Sequence, residues 1–360
     1  EITPPAATPG VFGGENTITT AASWPRSVFT ADVDGDGDMD LLSASQIADK
    51  IAWYENDGNE AFTPHTITTT ADGAYSVFTA DVDGDGDIDV LSASKYDDKI
   101  AWYENDGSQN FTERVISTTA DDARSVFAAD MDDDGDIDVL SASMNDDKIA
   151  WYENDGSQNF TERIISTTAD RAISVFAADI DADGDIDVLT ASYNDNTIAW
   201  YENDGNQSFT THVITSNADG AMSVFAADVD ADGDMDVLSA SRNDGQIAWY
   251  ENDGSESFTA HTISTTAENA HSVFAADVDG DGDTDVLSAS AWADEIAWYE
   301  NDGSESFTAH TLTTTADGAT SVFAVDVDGD GDMDVLSASF ADNTIAWYEN
   351  LPFDFGDAPS

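Results

Sequence analysis

The chain has no cysteine among its 360 residues, which excludes a disulfide framework and any thiolate chemistry. It has little positive charge. Ten Lys and Arg stand against 75 Asp and Glu, for a formal net charge of -65. Nucleic acids and anionic membranes are held by basic patches, so neither is an expected partner. No apolar run approaches the roughly 20 residues of a membrane-spanning helix, and no membrane insertion is expected. No segment carries helical periodicity or helix caps. No signal peptide is visible either. The opening EITPPAATPG, residues 1–10, reads as a Pro/Thr linker, and the closing LPFDFGDAPS, residues 351–360, as a linker to a following domain. The chain is therefore expected to be part of a larger multidomain protein. What remains is an acidic sequence that is 41% hydrophobic, enough for a core. Such acidity fits a cation-loaded protein or one adapted to a marine or saline setting.

What the sequence has in abundance is repetition. The tripeptide AWY begins at Ala52, Ala101, Ala150, Ala199, Ala248, Ala297 and Ala346, always 49 residues apart. In the second copy, YSVFTAD, IDVLSAS, KIAWYEN and FTERVIST (Phe111 to Thr118) each read as a strand, rich in β-branched and aromatic residues. Turns of Asp, Gly and Asn separate them, including the hairpin signal NDG. Four antiparallel strands repeated seven times predict an all-β, seven-bladed β-propeller over residues 11–350. The last copy stops after its third strand, at AWYEN. Its missing fourth strand is found at the start, where ENTITT (Glu15 to Thr20) stands one period before PHTITT (Pro64 to Thr69). The N-terminal strand is thus expected to complete the seventh blade and leave no free edge. An open solenoid would need atypical capping repeats, and the sequence has none.

Each copy carries the pattern D-x-D-x-D-G-x-x-D. The acids are Asp32, Asp34, Asp36, Asp38 and Asp40 in the first copy and Asp81, Asp83, Asp85, Asp87 and Asp89 in the second. The third has Asp130, Asp132, Asp134, Asp136 and Asp138; the fourth has Asp179, Asp181, Asp183, Asp185 and Asp187. The fifth has Asp228, Asp230, Asp232, Asp234 and Asp236; the sixth has Asp277, Asp279, Asp281, Asp283 and Asp285. The seventh has Asp326, Asp328, Asp330, Asp332 and Asp334. Hard oxygen donors gathered on a tight Gly turn are what Ca²⁺ requires. Positions one, three, five and nine would give side-chain oxygens, and position seven its backbone carbonyl. About seven Ca²⁺, one per blade, are expected; by simple counting they would bring the net charge to about -51. An EF-hand needs a glutamate at the twelfth position and a following helix. Here that position is Ser or Thr and a strand follows, so an EF-hand is excluded.

The stretches ADVDGDGDxDVL, IAWYENDG and the trailing F-T resemble the FG-GAP/VCBS repeat family, propellers related to the integrin α-subunit head. The resemblance covers about residues 11 to 350. It implies that the calcium loop joins strands A and B of each blade. Asp133 replaces Gly or Ala at a non-ligand position. The family includes adhesion receptors, lectins and polysaccharide lyases, so it implies fold and metal better than activity. Identical sites in every blade read as structural metals. At the Kd of ~10⁻⁴–10⁻³ M usual for extracellular modules they fill only where calcium is plentiful, so the expected location is extracellular, secreted or at the cell surface.

Against this regularity two windows vary. One precedes SVF (WPR, GAY, DAR, RAI, GAM, NAH, GAT) and is the D–A connection. The other follows SAS or TAS (QI, KY, MN, YN, RN, AW, FA) and is the B–C connection. Antiparallel geometry puts both on one face, opposite the calcium loops and the NDG turns. Trp24, Tyr75, Tyr96, Tyr193, Trp292 and Phe340 fall there, as do Arg26, Arg124, Arg171, Arg242 and His271. Aromatics and Arg dominate binding hot spots, whereas drift in so acidic a chain would leave mostly Ser, Asp, Asn, Thr and Gly. These eleven residues are the candidate ligand-binding set. Trp53, Tyr54 and their copies are assigned to blade packing. The other histidines share one outer-strand register, and no Ser/His/Asp set or unique carboxylate pair stands out.

The expected function is a calcium-stabilised extracellular binding module without catalytic activity, lectin-like or adhesive, whose partner is a glycan or a cell-surface protein. The alternatives are a protein-binding adhesion head, a structural spacer in a large surface protein and, least favoured, a polysaccharide lyase. A lyase would have only Arg26, Arg124, Arg171, Tyr75, Tyr96 and His271 to work with.

Overall fold

The structure, a computed structural model, describes residues 10–351; residues 1–9 and 352–360, and with them most of both expected linkers, lie outside the described residues. The described residues form 28 strands in seven four-stranded antiparallel sheets. In the first blade β2 (Pro25–Ala31), β3 (Asp40–Ser45), β4 (Lys50–Asn56) and β5 (Phe62–Thr68) pair in order as strands A to D. Strand A lines the axis and strand D faces outward. The same element types recur every 49 residues because the same sequence does.

Ring closure is as the repeat register predicts. The first strand, β1 (Phe12–Thr19), pairs with the last, β28 (Thr344–Asn350), with Asn16 opposite Trp347. The seventh sheet is therefore assembled from both ends of the chain, β1-β28-β27-β26, where β26 is Ala319–Val325 and β27 is Asp334–Ser339.

The repeated Trp is fully buried and joins blades, as the sequence suggests. Leu42, Ile51 and Trp53 of the first blade pack on Ala74, Val77, Val90 and Tyr103 of the second. Aromatic burial of this kind supplies most of the cohesion between sheets. A polar staple accompanies it. The amide of Asn105 donates to the carbonyl of Val33 in the preceding blade at 3.1 Å, and Asn56 closes the ring onto Val327 at 2.8 Å.

Two rings cross the axis. Phe29, Phe78, Phe127, Phe176, Phe225, Phe274 and Phe323 touch in sequence, with neighbouring centroids 4.5 to 5.0 Å apart, and Phe323 returns to Phe29. They line and narrow the channel, each side chain partly exposed. Two residues earlier in each A strand a serine hydroxyl accepts the backbone N–H of the next blade, as Ser27 does from Val77 at 3.4 Å and Ser321 from Val28 at 3.2 Å.

Candidate functional site

The two faces are divided as the connections predict. On the variable face the backbone of Lys95 and Tyr96 (B–C) bonds that of Gly73 and Asp72 (D–A) at 3.1 and 3.0 Å. On the other face the A–B loop meets the C–D turn, where the carboxylate of Asp38 covers Gly58 so closely that a Cβ there would fall 2.4 Å from it.

In the A–B loops, carboxylate oxygens converge. Those of Asp32, Asp34 and Asp36 lie within 4.8 Å of one another, as do those of Asp81, Asp83 and Asp85. In the next three copies the converging sets are Asp130, Asp132 and Asp138; Asp179, Asp181 and Asp187; and Asp228, Asp230 and Asp236. Gly37 turns the loop at φ +100°, a conformation that a side chain would strain. Asp32 accepts the N–H groups of Gly35 and Gly37 at 2.8 and 3.1 Å, which holds the loop closed around its acids. Asp40 is fully buried and accepts the N–H groups of Asn56 and Val33 at 2.8 and 3.0 Å. Burial nevertheless pushes its pKa up to about 7. Burial, and next the charge of Asp36, also raise Asp34. Ionised acids held this close in this surrounding are costly alone and fit a divalent cation. Positions one, three, five and nine would hold it. The side chain of Asp38 is turned onto Gly58, which leaves position seven its backbone carbonyl. The same packing joins Asp87, Asp136, Asp185, Asp234 and Asp283 to their own turns. Their copy in the last blade, Asp332, is half-exposed.

On the variable face the D–A and B–C connections surround a well of about 430 Å³ on the axis. It gathers ten of the eleven candidates: Trp24, Arg26, Tyr75, Arg124, Arg171, Tyr193, Arg242, His271, Trp292 and Phe340. Tyr96 is the exception. Its ring lies over Gly73 outside the wall, and its hydroxyl accepts a hydrogen bond from Gln46 at 2.9 Å. Gln46 in turn accepts one from Arg26 Nε at 2.7 Å, so Tyr96 positions the wall without forming it. The well also includes Met144, Ile173, Met222 and Asn269, which the sequence reading passed over because it sought aromatics and charge. Their signal was register: Ile173 and Met222 stand one and two periods beyond Arg124.

Local backbone geometry aims these side chains. In every blade the pairing of strands A and B slips at one residue, between Pro25 and Ser27 in the first and Ala74 and Ser76 in the second. The skipped residues are Arg26, Tyr75, Arg124, Ile173, Met222, His271 and Thr320. A bulge re-aims the extra side chain, here into the axial well. Two residues earlier the chain is left-handed in all seven blades. Three blades use Gly there (Gly73, Gly220, Gly318), but the others hold Trp24, Asp122, Arg171 and Asn269 at φ 55° to 59°.

The well is cationic. Arg26 lies over the rings of Phe340, Trp24 and Tyr75, at 4.8, 5.2 and 5.7 Å. Arg124 lies over the same Tyr75 ring, 4.5 Å from its centroid, and pairs with Asp122, Nε to Oδ1 at 2.7 Å. Burial pushes His271 down to about 3, and the charges of Arg242 and Arg26 add to the effect, so the ring is neutral at physiological pH. Two lysines at the edge of this face are engaged in ion pairs. Lys99 bonds Glu113 at 2.8 Å and Lys148 bonds Glu162 at 2.9 Å.

Solved structures of the same fold are similar over nearly the whole chain. A chain of the crystal structure of BBS1N in complex with ARL6DN, soaked with lead, superposes with a TM-score of 0.66 at 11% identity, covering 95% of this chain and 97% of that one. A streptogramin B lyase gives 0.64 at 15% identity, covering 93% and 96%. A protein from Lactobacillus plantarum gives 0.61 at 14% identity, covering 82% and 86%. At these identities the likeness is one of fold. No sequence among the curated proteins matches the chain. Overlapping matches to the FG-GAP-like repeat cover residues 32–92, 81–141, 130–190, 179–239, 228–288 and 277–337. The seven-bladed ring and these six matches agree: the chain belongs to the FG-GAP-like repeat family.

Proposed function

We propose that the chain is an extracellular binding module, stabilised by about one Ca²⁺ per blade, that seats a glycan in the axial well. The observation that carries this is the well itself. The blades repeat closely, yet ten of the eleven candidate residues from the varying windows converge on one cavity whose volume lies in the range of small-ligand sites. Its wall combines rings, guanidinium groups and amides, the groups that stack on and hydrogen-bond sugars. The module acts by binding rather than turnover, and calcium supplies rigidity to the loops that tie strands A and B.

Binding to a broad glycan array in millimolar calcium tests the reading. Specific hits that vanish with Trp292→Ala are expected. An absence of hits from folded, calcium-loaded protein would overturn it.

A protein partner is the second reading. Trp292 is 71% exposed and Tyr96 54% exposed on the same face, more than a buried sugar platform requires. BBS1N, of the same fold, is crystallised in complex with ARL6DN.

A further inference from the structure

Four of the ten basic residues of a chain with 75 acids line a single cavity. Only one of the four is neutralised. Arg124 pairs with Asp122, but among the described residues no carboxylate forms an ion pair with Arg26, Arg171 or Arg242. Arg242 is held by a neutral amide, Nε to Asn269 Oδ1 at 2.5 Å. Arg26 is the sharpest case. Its Nε donates to Gln46, its plane is walled by three rings, and its two Nη nitrogens find no acceptor among the described residues. A half-buried guanidinium without a counter-charge is costly, and here there was no shortage of acids to pair it with. Burial pushes its pKa down, and the charges of Arg124 and Arg242 act the same way, opposed by Tyr75.

The floor points the same way. Beneath Arg26 a second space of about 130 Å³ is ringed by the seven A-strand positions Ser27, Ser76, Ser125, Ser174, Ser223, Ser272 and Ser321. Each serine oxygen accepts a backbone N–H from the next blade, which leaves its own O–H hydrogen to donate. Hydroxyl donors below and unpaired guanidinium groups at the side make a receptor for an oxyanion.

We infer that the well takes the carboxylate of an acidic saccharide, a uronate-type residue at a chain end. Arg26 receives the carboxylate, the serine ring donates from below, and Trp292 at the mouth carries the neighbouring sugar. This rests on the reading of the well as a glycan site and names the class of glycan.

The test is calorimetry on the calcium-loaded chain with four probes: a uronate oligosaccharide, the same oligosaccharide with its carboxyl groups reduced to alcohols, a sulfated neutral oligosaccharide and inorganic sulfate. The uronate is expected to bind at least about tenfold tighter than its reduced counterpart, the worth of one charge-assisted pair. Arg26→Gln should remove that difference. Arg171→Gln, at the rim, should reduce it in part and serves should Arg26→Gln fail to fold. Equal binding of uronate and reduced probe would overturn the carboxylate assignment and leave the glycan reading standing. Tighter binding of the sulfated probe or of sulfate alone would also overturn it. No binding of any probe by folded protein would overturn the glycan reading together with it.

Discussion

At the scale of single residues, the well is built against local preference. Arg171 keeps a left-handed backbone, φ 58°, at a register where three other blades use Gly. A non-glycine residue there costs about 1 kcal/mol. Arg171→Gly is therefore expected to raise stability in chemical denaturation by about 1 kcal/mol while weakening binding of an acidic saccharide, a trade of stability against function. His271 gives a pH signature of known sign. Its ordinary pKa is 6.5 and the folded value is about 3. Between these the unfolded chain binds the extra proton, so this residue makes stability rise with pH across that window, by up to about 1.4 kcal/mol per unit. His271→Gln should flatten the slope of stability against pH below 6.5 relative to the parent; an unchanged slope would mean that the ring is not buried neutral. The same scale shows what the sequence concealed. Ten of the eleven chosen side chains reach the well because variation marked them, but Gln46 was invisible. An amide in the window QI has no chemistry of its own until Arg26 and Tyr96 bond it from two sides.

At the scale of elements, the strands were legible and the bulges were not. A run such as KIAWYEN declares itself by its β-branched and aromatic residues, and β8 (Lys99–Asn105) occupies just that run. The slip at Tyr75 leaves no trace in composition, because an extra residue in a strand looks like any other. The A–B loops were read from their spacing, and they carry the clearest thermodynamic expectation. Free of metal, Asp40 and its copies Asp89, Asp138, Asp187, Asp285 and Asp334 have pKa values pushed up to about 7 by burial, against an ordinary 3.8, and Asp236 to about 6. A raised folded value means that the folded state binds more protons between 3.8 and 7. Metal-free protein should thus lose stability as pH rises through that window. Calcium, which favours the ionised acids, should reverse the trend and add about 1.4 kcal/mol per site at ten times Kd. Thermal melts with and without chelator across that pH range check both signs; a calcium-independent melting temperature would remove the structural metal.

At the scale of the whole molecule, one strand decides whether the ring is closed. β1 covers the outer edge of β28, and Ile18 packs with Ile345 and Trp347 beneath it. Deleting residues 12–19 should bare a full strand edge and that apolar strip. The expected result is concentration-dependent association in sedimentation, with loss of a single cooperative melt; a monomeric variant with an unchanged melt would show that closure contributes little. The net charge of -65 adds a second expectation at this scale. Self-repulsion should make the metal-free chain more stable as simple salt is added, and less sensitive to salt once calcium is bound.

The single axial well also bears on how many ligands the molecule would hold. Seven near-identical blades could have offered seven equivalent pockets between them, and with them the power to cross-link. Instead the variable residues meet at one axial opening, above the ring of phenylalanines. If the well is the binding site, each copy of this domain is monovalent, and any agglutination or avidity must come from joining several copies rather than from the symmetry of one.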